Sequence, residues 1–186
     1  MRHKLGIGRE VPWLRAEASA ALLDFRGDLR DSNLYAFSLQ SGKRLHERAD
    51  AILAYSYEYR DGYASPSTFD HHSHTGSIDL NFLLTENTLL GLEYSLCDGD
   101  IEATCSEPSC MRIWDVARAR QPDNAYGTGW WVYRIEATTH AYGINLSYAF
   151  GGGHYTLNFG YNREYGNAPR FNYSNDIFWT SLNYSF

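Results

Sequence analysis

The stretch Asp176-Ile177-Phe178-Trp179-Thr180-Ser181-Leu182-Asn183-Tyr184-Ser185-Phe186 decides how the rest of the chain is read. Every second residue counted back from the end gives Phe186, Tyr184, Leu182, Thr180 and Phe178. The intervening set is Ser185, Asn183, Ser181, Trp179 and Ile177. Alternation with a period of two predicts a strand with one oily face and one mostly polar face. The strand runs to a large aromatic residue with no loose polar tail, unlike the usual end of a soluble domain.

Working backwards, the same pattern recurs. Tyr155, Leu157, Phe159 and Tyr161 oppose Thr156, Asn158, Gly160 and Asn162. Tyr142, Ile144, Leu146, Tyr148 and Phe150 oppose Ala141, Gly143, Asn145 and Ser147. Leu90, Leu92, Tyr94 and Leu96 follow a break at Glu86-Asn87, and Ile78, Leu80, Phe82 and Leu84 precede it, so this pair predicts a hairpin. Ala49 to Arg60 alternates with Tyr55, Tyr57 and Tyr59 on one face, and Leu34 to Gln40 with Tyr35, Phe37 and Leu39. Trp13 to Phe25 alternates too, although its alanines also suit a helix. The breaks fall at 27–32, Ser41–Arg44, 61–75, Glu86-Asn87, 99–129, Gly151–Gly153 and 166–173. About eight strands result.

Composition narrows the class. Aromatic residues make up 16% of the 186, more than a core of this size needs and suited to pleated or interfacial surfaces. Mean hydropathy is negative, and no run approaches the roughly 20 apolar residues of a spanning helix. A β-barrel stays compatible, because only alternate residues face lipid. A net charge of -6 with no basic cluster argues against nucleic acid as a partner.

The alternating apolar residues Phe178, Leu182 and Tyr184 with terminal Phe186 resemble the C-terminal assembly signal of bacterial outer-membrane β-barrel proteins. The resemblance implies an all-β, antiparallel up-and-down transmembrane barrel of about eight strands, or the C-terminal part of a larger one. It also implies outer-membrane localisation, contact with outer-membrane lipid and lipopolysaccharide, and handling by the barrel-assembly machinery. Residues 1–12 become a periplasmic N-terminal segment and 13–186 the barrel, with long outer loops at 61–75 and 99–129. Placing Phe186 on the periplasmic side sorts the breaks into short periplasmic turns and longer outer loops, as this architecture expects. Met1 to Glu10 lacks a signal-peptide core. An export signal removed upstream and a longer protein both explain this, and the second is the favoured expectation.

A soluble β-sandwich alternates as well, but fills its inner face with Val, Ile and Leu and its wet face with Lys and Glu. Here Val is scarce, tyrosines gather toward strand ends, and the polar face carries Ser, Asn, Gly and Thr. The inward charges Asp50, Glu58, Arg60, Asp79 and Glu93, with Arg15 and Glu17, read either as a mutually compensated network in a filled lumen or as solvated rim groups. Cys105 and Cys110 read as a local loop disulfide in an oxidising compartment, in preference to three separate thiols, with Cys97 a small wall residue.

The run Asp70-His71-His72-Ser73-His74 falls in the expected outer loop at 61–75. Three histidines beside Ser and Asp are the residue types of a metal site or a hydrolase, but neighbours in a loop rarely converge on one point. No HExxH, GxSxG, P-loop or dinucleotide fingerprint is present, so neither catalytic residue nor cofactor is expected. Three functions remain: a non-enzymatic structural, surface or pore-forming barrel, the closing part of a larger transporter or exporter, and a small lipid-modifying enzyme.

Overall fold

The computed structural model describes residues 2–4, 10–25, 30–63, 68–123 and 127–185, and Phe186 lies outside them. Ten strands are present among these: β1 (Arg2–Lys4), β2 (Trp13–Leu23), β3 (Ser32–His46), β4 (Ala49–Gly62), β5 (His71–Thr85), β6 (Thr88–Ser106), β7 (Ala119–Pro122), β8 (Trp130–Phe150), β9 (Tyr155–Ala168) and β10 (Phe171–Tyr184). All belong to one sheet, entirely antiparallel, in the order β1-β2-β3-β4-β5-β6-β8-β9-β10, with β7 added to β8. Eight of the ten are long, and each long strand pairs with the next long one in the chain. The fold is thus an up-and-down meander. Among the described residues β2 and β10 are not paired with each other, so the sheet is open.

The registers place the two residue sets on opposite faces. Leu92 lies beside Ile144, Ile144 beside Tyr161 and Tyr161 beside Phe178, all on the apolar face. On the polar face Glu17, Ser38, Ser56, Thr75, Cys97, Thr139, Gly166 and Tyr173 form one unbroken row across eight strands. No second sheet covers either face among the described residues. Leu92 is 38% exposed, Ile144 46% and Leu146 39%, so the apolar side chains do not meet a sandwich partner.

The buried core lies elsewhere. Phe69, Cys110, Val132, Tyr133, Ile135 and Ala137 are buried, and all sit at one end of the strands. There β6 and β8 outgrow their neighbours, β7 pairs along Trp131–Arg134, and a short 3-10 turn at Ser109–Arg112 is bonded back through Cys105–Cys110 with a Cα–Cα distance of 5.5 Å. This end is the loop end; the opposite, turn end carries the connections at 47–48, 86–87 and 151–154.

Several expected boundaries move. Ser41–Arg44 is strand, not a break: Trp13 lies flat over Gly42, Arg44 reaches Asp50 at 3.2 Å, and the hairpin closes at Glu47-Arg48. The connection expected at 166–173 shrinks to Pro169-Arg170, with Arg170 at φ 75° taking the left-handed conformation of a tight turn. Tyr173 covers Gly166 from the facing strand, which keeps this glycine inside the ladder. The loop expected at 61–75 narrows to 63–70, because polar residues from His71 onward still alternate across β5. Much of 99–129 is ordered as the end of β6, the 3-10 turn and β7. Within the expected N-terminal segment 1–12, Arg2–Lys4 pairs with Trp13–Arg15.

Candidate functional site: an apolar band below a loop-end lobe

Strand alternation builds the band. On β6, β8, β9 and β10 the apolar face rises in level rows from the turn end. The lowest is Phe150, Tyr155 and Tyr184, with ring centroids 5.3 and 4.9 Å apart. Above it come Tyr148, Leu157 and Leu182, then Leu90, Leu146, Phe159 and Thr180, then Leu92, Ile144, Tyr161 and Phe178. The next row is Tyr94, Tyr142, Arg163 and Asp176, where charge first appears. Tyr94 and Tyr142 lie 5.2 Å apart there, and the Tyr94 hydroxyl is 2.9 Å from His140 Nδ1. Tyr142 and Phe150 are eight residues apart on one strand, or about 27 Å. An uncharged band thus lies between two rows of aromatic rings.

The aromatic border continues around the sheet. Tyr35 stacks on Tyr59 at 6.3 Å, and Tyr57 meets the His74 ring at 4.8 Å. Phe178, Leu182 and Tyr184, the described part of the expected assembly signal, point to this face and are exposed, Phe178 by 79%.

The polar face is lined by small side chains and holds a hollow of about 520 Å³ bordered by Glu17, Ser38, Ser56, Glu58, Ser73 and Thr75. The expected network of Asp50, Glu58, Arg60, Asp79 and Glu93 is not one network. Asp50 pairs with Arg44 and Arg15 with Glu17, while Arg60 turns to Glu102 and donates from Nε to the Phe69 carbonyl at 2.9 Å. Asp79 and Glu93 face each other across β5 and β6, and neither has an ion-pair partner among the described residues. The strands set which residues are neighbours, and on that ladder two carboxylates fall side by side.

The charges that do converge are in the loop-end lobe. The Asp100 side chain is fully buried, with Oδ2 at 2.6 Å from His72 Nδ1 and accepting from the His72 backbone N–H at 3.3 Å. Arg118 approaches Oδ1 at 3.4 Å and Arg134 lies 3.9 Å from Oδ2. Surrounding a buried carboxylate with donors offsets much of its desolvation cost. Arg30, from the β2–β3 connection, reaches Asp123 at 2.6 Å and lies over the Phe69 ring. β3 and β8 are separated by three strands, so these connections meet over the loop end. Arg134 Nη1 also donates to the Asp70 carbonyl at 2.6 Å.

The three histidines lie in β5, not in a loop, and have different partners. His71 pairs in the ladder with Arg60, His72 binds Asp100, and His74 Nδ1 is 2.7 Å from the Tyr55 hydroxyl. Among the described residues no three His, Cys, Asp or Glu side chains gather as a metal site would require. Burial pushes the His71 pKa down, with Glu58 and Asp100 pulling it up and Arg60 and His72 lowering it further. Burial also lowers the pKa of the Arg60 guanidinium, against the pull of Glu58.

The Asp100 cluster is not legible in the sequence, because 99–129 lacks apolar alternation and reads as loop. A signal was present: Asp98, Asp100 and Glu102 alternate as the strand does, and Glu102 falls opposite Arg134. Compared with protein-family models, curated proteins and solved structures, the chain matches none.

Proposed function

We propose that this chain is a β-barrel protein of a bacterial outer membrane with a non-enzymatic structural or surface role. Its apolar face meets lipid and its loop-end lobe lies outside. The observation that carries the reading is the exposed, uncharged band of Leu92, Ile144, Leu146, Phe159 and Phe178 held between two aromatic rows. Water penalises so continuous an apolar surface, whereas an outer-membrane barrel needs a band of about 25 Å between aromatic girdles. Hydrocarbon in turn penalises unpaired strand edges by several kcal/mol per group, so insertion favours closure. β2 and β10 run in opposite directions, which lets their edges pair antiparallel. The lobe gathered over the loop end favours a surface role over an open pore.

A second reading, the closing part of a larger outer-membrane transporter, is supported by the open sheet: each outer long strand then pairs with a further strand.

Arginine substitutions test the lipid-facing assignment. Leu92→Arg, on the apolar face, is expected to lower stability in bilayers by about 2–4 kcal/mol. Ser95→Arg, on the polar face of the same strand, is expected to cost clearly less. Folding titrations in lipid vesicles read both, and equal losses would contradict the assignment of faces.

A further inference from the structure

The apolar band is not uniformly flat. Across β6, β8, β9 and β10 it holds a groove of about 620 Å³, lined by Leu90, Ile144, Leu146, Phe159, Tyr161 and Phe178, within the size range of small-molecule sites. Gly160 borders it only with backbone, its open side turned to Trp179 on the polar face. One row nearer the loop end stands Arg163, on the same face and with its side chain 57% exposed. Its carboxylate neighbour Asp176 lies 4.0 Å away, at the limit of an ion pair, and the same Asp176 oxygen accepts the Tyr161 hydroxyl at 2.7 Å. So exposed and long a pair holds its arginine weakly.

We infer that this groove and Arg163 together form a binding site for one membrane lipid with a negatively charged phosphate headgroup. An acyl chain fills the groove and the phosphate takes the guanidinium. The inference rests on the membrane reading above and adds a preferred ligand. The charge pattern argues for this occupant: the groove walls are uncharged, and the Arg163 guanidinium at its rim stands where a headgroup meets the end of its chain. A guanidinium offers paired donors to phosphate oxygens. Asp176 opposes the same anion, so the two side chains act with opposite sign.

Native mass spectrometry of the full chain, released from nanodiscs of phosphatidylcholine and phosphatidylglycerol in equal amounts, tests the site. The wild-type chain is expected to retain one phosphatidylglycerol over phosphatidylcholine by roughly fivefold, equivalent to about 1 kcal/mol. Arg163→Gln should abolish that preference, and Asp176→Asn should strengthen it. Arg170→Gln, at the β9–β10 turn, should leave it unchanged. No preference in the wild type, or the same change in Arg163→Gln and Asp176→Asn, would overturn the site while leaving the membrane reading intact. A chain that does not enter the nanodiscs at all would overturn both.

Discussion

Glycine and aromatic residues set the polar face of this sheet one pair at a time. Trp179 lies over Gly160, Trp13 over Gly42 and Tyr173 over Gly166, each across a single ladder step. A methyl group at any of the three would collide with the ring. Gly160→Val should therefore displace Trp179 and cost about 1–3 kcal/mol, as overpacking does. Gly76→Ala, where nothing stands within 4 Å of the added carbon, should be close to neutral. Equilibrium unfolding of the two variants measures the contrast. His71 provides a second residue-scale test. Its folded pKa lies below the unfolded value near 6.5, so the unfolded chain binds the proton more readily in the window just below 6.5. The lobe should then lose stability as pH falls through that window, with Glu58, Arg60, Asp100 and His72 around the ring. Protease resistance of the loop-end lobe should drop from pH 7 to pH 5, and His71→Gln should flatten the profile. A wild-type profile that is already flat would remove His71 from the account.

At the scale of elements, alternation was legible wherever apolar and polar residues differed sharply. Both strands of the β5–β6 hairpin and its turn at Glu86-Asn87 could be read, as could the lower half of β8, the first part of β9 from Tyr155 to Asn162 and the glycine turn at 151–153. Strand ends were not legible, because polar residues such as His71 to Thr75 pair as well as apolar ones once a neighbouring strand is in place. Ser41–Arg44 and 166–173 contain glycine and charge, the usual marks of a break. Only the facing rings of Trp13 and Tyr173 explain why the ladder continues through them. The Cys105–Cys110 pairing was readable from spacing, but the buried Asp100 was not, since its partners come from β5, the segment before β7, and β8. The pairing of β2 with β10 belongs to this scale too. Cysteines at Ala18 or Ala20, tried against Asp176, Phe178 or Thr180, should give a cross-link within one chain after membrane insertion. Links only between chains, or none in an inserted protein, would favour the larger-barrel reading.

The whole molecule has an unusual distribution of burial: its well-buried core sits in a lobe at one end, while the long strands present apolar side chains outward. Soluble domains put such residues between two layers, and here the described residues supply one layer only. What lies against the apolar face therefore decides between membrane and water. The most direct measurement is oxygen and water-soluble quencher accessibility of spin labels placed singly from Tyr142 to Phe150, in a Cys97→Ser chain reconstituted in lipid vesicles. A lipid-facing apolar side gives a period of two: high oxygen accessibility at positions 142, 144, 146, 148 and 150, and low values at 143, 145, 147 and 149. Accessibility without that alternation, or a monodisperse water-soluble chain that ignores the vesicles, would contradict it.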